Sequence, residues 1–136
     1  MTIDEIIENF EFLDDWDDRY RYLIELGREL EPLPAEAHND ANKVRGCASQ
    51  VWLLTEVKRG ANGEPELRFL GDSDAHIVRG LIAVLLGLYN GATPAEIVAF
   101  DAEGAFARLG LTGALSRQRS NGLFSMVERI RREAGA

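Results

Sequence analysis

The stretch Ser49-Gln50-Val51-Trp52-Leu53-Leu54-Thr55-Glu56-Val57-Lys58 is where the apolar pattern of this chain changes period. It is rich in β-formers, with Val51, Leu53, Thr55 and Val57 on one face and Trp52 and Leu54 on the other. That pattern predicts a strand covered on much of both faces. Asn62-Gly63 follows and predicts a hairpin, because a type I′ turn needs positive φ at both central positions. Residues 65–70 are then the returning strand, with Leu67 and Phe69 facing one way. Upstream, residues 42–45 are expected to add a short third strand, with Cys47 in the connection to the long one.

Outward from this hairpin the period becomes helical. Ile3, Ile6, Ile7 and Phe10 follow the i, i+3, i+4, i+7 rule, and Thr2 with Glu5 reads as a capping box. A second helix is predicted from Asp14 or Asp15, with Trp16, Tyr20, Leu23, Ile24 and Gly27 on one stripe and early aspartates at its positive end. Pro32 and Pro34 end it and open a loop to about Asn42. After Gly71, Asp72 or Ser73 should cap a helix reaching about Tyr89, apolar nearly all round and therefore suited to the centre of the core. Thr93-Pro94-Ala95-Glu96 combines an N-cap, a first-turn proline and a capping-box glutamate. Short helical pieces are expected over residues 95–100 and 102–109. The last helix is predicted from near Ser120, with Leu123, Met126, Val127 and Ile130 inward and Arg129, Arg131 and Arg132 at its negative end. The expectation is one α+β domain over residues 1–136: a small antiparallel three-stranded sheet, a buried central helix, and helices at both termini.

Composition narrows the function classes. The chain has 136 residues with 15 basic and 23 acidic side chains, a net charge of −8. This balance argues against nucleic acid or an anionic membrane as partner, since both require clustered positive charge. No apolar run is long enough for a membrane span, and no signal peptide is visible at Met1-Thr2-Ile3-Asp4-Glu5, so a cytoplasmic location is expected. One cysteine, Cys47, allows neither a disulfide within the chain nor a four-cysteine iron–sulfur site. With only His38 and His76 beside it, no resident metal is expected.

The segment Lys43-Val44-Arg45-Gly46-Cys47-Ala48-Ser49-Gln50-Val51-Trp52 carries the chemical signal. Gly46 permits a tight turn just before the thiol, and Lys43 and Arg45 favour its ionised form. Burial would act in the opposite sense. A free cysteine is only a few per cent thiolate at pH 7, so the balance decides reactivity. Three readings follow: a small buried hydrophobe, a Cys-His hydrolase with His38 or His76 as base, or a single nucleophilic thiol.

Val44-Arg45-Gly46-Cys47-Ala48-Ser49-Gln50-Val51-Trp52-Leu53 closely resembles the V-x-G-C-x-S-Q-V-W signature of the SufE family of sulfur acceptors. Tyr22-Leu23-Ile24-Glu25-Leu26-Gly27 is similar to the family's Y-x-I-E-L-G helix. Gly71-Asp72-Ser73-Asp74-Ala75 with Ile77-Val78-Arg79-Gly80-Leu81 is similar to its G-D-S-D-A-x-I-V-[KR]-G-L segment. Thr93-Pro94, Phe100-Asp101, and Arg119-Ser120 with Gly122-Leu123 match further positions in order.

The resemblance implies the fold shared with IscU-type scaffolds, but with one cysteine where those scaffolds present three. It implies a carrier that takes persulfide sulfur from a cysteine desulfurase onto Cys47, stimulates that partner, and delivers sulfur to a scaffold for iron–sulfur cluster assembly. On this reading the chain is not an enzyme by itself and holds no cofactor; pyridoxal phosphate belongs to the desulfurase. Gly46, Arg45, Ser49, Gln50, Asp74 and Arg119 are the expected partner-contacting or loop-supporting residues. Arg119 has the alternative of bridging a carboxylate, Asp72 and Asp74 that of capping a helix, and Trp52 that of simple core packing. A module that regulates a partner by binding alone, with Cys47 inert, remains the reading from a different class. The net charge of −8 points to steering toward a basic patch on the partner.

Overall fold

The computed structural model describes residues 3–135. The expected Thr2–Glu5 capping box and the Ile3 side chain lie outside the described residues.

Strands β1 (Val51–Arg59) and β2 (Pro65–Ser73) form an antiparallel pair whose register runs from Val51↔Ser73 to Arg59↔Pro65. The reversal is wider than a two-residue type I′ turn. Gly63 alone among its residues has positive φ, at 83°, and its N–H donates to the Gly60 carbonyl at 3.0 Å. Asn62 keeps ordinary backbone angles and turns its side chain to accept the Glu64 N–H at 3.1 Å. The turn end of the hairpin leaves the core, so Val57 is exposed although it shares a face with buried Val51 and Leu53.

The expected third strand is corrected: among the described residues the sheet has two strands. Residues 42–45 contribute one isolated bridge, Lys43↔Trp52, through Val44 N–H to Val51 O and Leu53 N–H to Asn42 O, both 2.8 Å. Gly46, with φ of 90°, then turns the chain away before a second bridge can form. The opposite face of the hairpin is not bare. Leu33, Ala37 and Leu70 cluster there with half-buried Trp52 and Leu54, and the His38 ring stands edge-on to Trp52 at 4.8 Å.

Seven α-helices are described. α1 (Ile3–Phe12) and α2 (Trp16–Arg28) come first, α2 capped by Asp15, whose carboxylate accepts the Asp17 N–H at 2.9 Å. α3 (His76–Tyr89) begins later than the sequence predicts, because β2 runs on through Asp72 and Ser73 and Ala75 occupies the N-cap. Ladder pairing takes those two residues, and their side chains serve elsewhere. Asp72 accepts from His38 Nε2 at 2.8 Å and pairs with Arg79 at 3.2 Å, while the Ser73 hydroxyl accepts the Ala75 N–H. α3 packs on α2 and on β2, burying Ile77, Val78, Leu81, Ile82, Val84 and Leu85 among other residues.

α4 (Pro94–Ala99) carries the predicted capping box, Thr93 with Glu96. α5 (Ala102–Arg108) and the single turn α6 (Leu111–Ala114) lead to α7 (Arg117–Glu133). α7 begins three residues before the predicted Ser120, since Ser116 caps it by accepting the Arg119 N–H at 3.2 Å. Arg119 therefore lies inside the first turn. The inward stripe of Leu123, Met126, Val127 and Ile130 docks on the common core.

Candidate functional site

Three elements meet at Cys47. The loop over residues 41–50 carries it, the start of α3 lies on one side, and the middle of α7 forms the floor. The loop is held at both ends. At its start, Arg129 of α7 donates to Ala41 O at 2.7 Å and Lys43 O at 3.1 Å, its guanidinium braced by Glu133 at 2.9 Å. At its end, just past the last ladder pair, the Asp74 carboxylate accepts the Gln50 N–H at 3.0 Å and the Asp74 N–H donates to Gln50 O.

Between these anchors the chain sits directly on α7. A Cβ at Gly46 would lie 2.5 Å from Ser125 Oγ, which, with the positive φ there, explains a glycine before the thiol. The Cys47 Sγ–H points at Gly122 O, 3.5 Å away. The thiol faces a cavity of about 30 Å³ lined by Ala48, Ser49, Val78, Leu81, Gln118, Arg119, Gly122 and Met126. That is room for one water-sized body.

The sulfur is half-buried, and loss of solvent pushes the Cys47 thiol above its ordinary 9.0. Burial outweighs whatever Lys43 and Arg45 contribute, so the resting thiol is protonated at neutral pH. Arg45 points to solvent, Ser49 lines the cavity, and Gln50 acts through its backbone. Arg119 also lines the cavity. Instead of bridging a carboxylate it donates to the Tyr20 hydroxyl at 3.4 Å. Trp52, His38 and His76 are not among the residues around the thiol. The hydrogen bond to Asp72 raises the His38 pKa, and Asp72 holds the ring on the far face of the hairpin. No three described His, Cys, Asp or Glu side chains come together as metal ligands. No described helix is long and apolar enough to cross a membrane.

A model of the SufE family, described as an Fe-S metabolism associated domain, matches residues 4–134. The chain belongs to the SufE family. A SufE-like protein of Rhizobium etli is 56% identical over 136 residues, covering 98% of this chain and 89% of the relative. One from Rhizobium meliloti is 51% identical over 133 residues, covering 98% and 94%. The solution structure of a hypothetical protein from Thermus thermophilus superimposes with a TM-score of 0.75 at 19% identity, covering 98% of this chain and 96% of that one, a likeness of fold.

In this SufE-family chain the residues that seat the cysteine loop are Gly122, Ser125, Met126 and Arg129, and the sequence reading assigned none of them to the site. Their signal is the spacing itself: 122, 125–126 and 129 form one stripe of a helix, two turns long, without a continuous apolar reason for the glycine and arginine.

Raised by burial, the thiol should ionise late. Carbamidomethylation of Cys47 by iodoacetamide is expected to keep accelerating through pH 9.0, where an ordinary thiol is already half ionised. Asp74→Ala, which cuts the downstream anchor, should raise the rate several-fold at pH 8 and shift the profile toward lower pH. Equal rates and profiles for the two proteins would show that Asp74 does not hold the loop down.

Proposed function

We propose that this SufE-family protein accepts sulfur from the persulfide of a cysteine desulfurase onto Cys47, stimulates that enzyme by clearing its product, and passes the sulfur on for iron–sulfur cluster assembly. The observation that carries the reading is the lone thiol in the signature loop, facing a small, partly open cavity with space for one further atom. The cavity walls at Val78, Leu81 and Met126 are apolar and suit a bound outer sulfur, while Ser49, Gln118 and Arg119 form the polar part of the lining.

The chemistry balances without a cofactor on this chain. Cys47 gives up its proton and attacks the outer sulfur of the donor's persulfide. The donor's sulfur–sulfur bond breaks, a new one forms on Cys47, and the departing donor thiolate takes up a proton. One thiol and one persulfide become one persulfide and one thiol, with no net oxidation. The protonated, seated thiol is the resting form, before sulfur is taken up. Transfer needs the Cys47 side chain to turn from the cavity toward the donor, a change local to the residues between the Asp74 and Arg129 anchors and not a change in the core. A Cys-dependent hydrolase lacks its base here, since neither histidine lines the cavity.

The test is intact-mass measurement after incubation with a cysteine desulfurase and free cysteine. The expected product is this protein plus one sulfur, lost on adding a thiol reductant. A chain that stays unmodified while the desulfurase carries its own persulfide overturns the reading.

A further inference from the structure

The net charge of −8 conceals a strong asymmetry. α7 carries Arg117, Arg119, Arg129, Arg131 and Arg132 against Glu128 and Glu133, and the loop over residues 43–50 adds Lys43 and Arg45 with no acid. The rest of the chain holds 8 basic and 21 acidic residues out of 15 and 23. The loop that carries the thiol and the helix beneath it are therefore net positive, opposite in sign to the whole protein, and steering at contact follows the local field.

Beside the cysteine loop lies an open groove of about 380 Å³ lined by Arg45, Asn121, Phe124, Ser125, Glu128 and Arg132. It adjoins the reactive loop directly, because Ser125 both lines it and touches Gly46. Its floor is the half-buried ring of Phe124, set edge-on to Phe106 at 5.9 Å. Arg45 and Arg132 are exposed, and neither pairs with a carboxylate among the described residues, whereas Arg129, Arg68 and Arg79 each do. Glu128 is the single acid in the groove.

We propose that this groove receives an acidic segment of the protein that delivers the sulfur, with carboxylates on Arg45 and Arg132 and an apolar side chain laid on Phe124. The inference rests on the sulfur-acceptor reading and adds the partner's chemistry to it. A donor persulfide must come within bonding distance of Cys47, so the donor's surface has to pass over this loop, and the groove begins where the loop meets α7. Its two free guanidiniums beside an aromatic floor fit alternating acidic and apolar side chains. An acidic segment at this groove is opposite in sign to the basic patch that the net charge of the whole chain suggests on the partner.

The experiment measures initial rates of sulfur acquisition by Cys47 from a cysteine desulfurase as the acceptor concentration is varied, in about 0.01 M and about 0.15 M salt. Arg45→Glu with Arg132→Glu is expected to raise the half-saturating concentration about tenfold at low salt, leave the saturated rate within about twofold, and flatten the salt dependence. The milder Arg45→Gln with Arg132→Gln should fall between, and circular dichroism melts check that each variant is folded. Lys58→Glu with Arg59→Glu, at the far end of β1, should change neither value more than about twofold. Unchanged half-saturation in the groove variants, with Cys47 still accepting sulfur in the parent protein, overturns the groove and leaves the acceptor reading standing. Failure of the parent to accept sulfur removes both. Sedimentation showing parent dimers that the groove variants lose would assign the groove to a second copy, whose exposed Phe12 beside Glu11 has matching chemistry, and would also overturn the proposal.

Discussion

Gly80→Ala is expected to destabilise the protein by about 3 kcal/mol or more, a large part of the margin of an ordinary domain. α2 and α3 cross with backbone against backbone. A Cβ at Gly80 would lie 2.1 Å from Leu23 O and 2.6 Å from the Leu23 carbonyl carbon, and one at Gly27 would lie 2.7 Å from Gly80 N. Neither obstacle is the flexible end of a side chain, so the helices must separate, which loosens the layer that Leu23, Leu81 and Leu85 fill. Gly87→Ala on the same helix is the matched comparison. Its Cβ meets only Ile6 Cδ1 at an ordinary 3.5 Å, so the gain in helix propensity should stabilise by about 0.5–1 kcal/mol. Urea midpoints of the two variants should move in opposite directions with similar slopes. A midpoint for Gly80→Ala within error of the parent would mean that the crossing is not as close as described.

The second large effect is chemical. Cys47→Ser keeps the size and the hydrogen bond to Gly122 O but cannot hold a persulfide, so sulfur uptake should fall to zero with the fold intact. Stimulation of the desulfurase should disappear with it, because an oxygen in place of sulfur clears no product. The two functional readings separate here: a module that acts through binding alone keeps its full stimulation in Cys47→Ser. Measuring turnover of the desulfurase with free cysteine as substrate, at saturating acceptor, decides between them. Retained stimulation would refute the sulfur-acceptor mechanism.

What the residues reveal on inspection, and what they hide, divides along a physical line. The hairpin was legible because its period of two stands out between helical stretches, and Cys47 was legible because a glycine-preceded thiol in a polar loop is a local pattern. The third strand stops at one bridge because Gly46 bends the chain away, and nothing within residues 42–45 announces how soon that bend comes. Asp72 and Ser73 look like helix caps in isolation, but a paired partner strand takes precedence over a cap. The cap at Ser116 shows only in the folded backbone, where its hydroxyl takes the Arg119 N–H ahead of the start expected near Ser120. The charge state of the thiol was undecidable from Lys43 and Arg45, because the opposing effect comes from burial by α7. Gly27 and Gly80 were visible as motif positions, yet their reason is a crossing between two helices 53 positions apart, which no local window contains.

The shelter of the sulfur has a consequence for biosynthesis. Its floor comes from Gly122, whose carbonyl the thiol approaches across 75 positions of sequence. While the ribosome is still making the intervening segment, the nucleophile has no floor to rest on and meets its surroundings as an ordinary reactive side chain. That floor arrives only when α7 emerges beneath the loop, and a chain truncated before that helix would carry the sulfur without the cavity it faces.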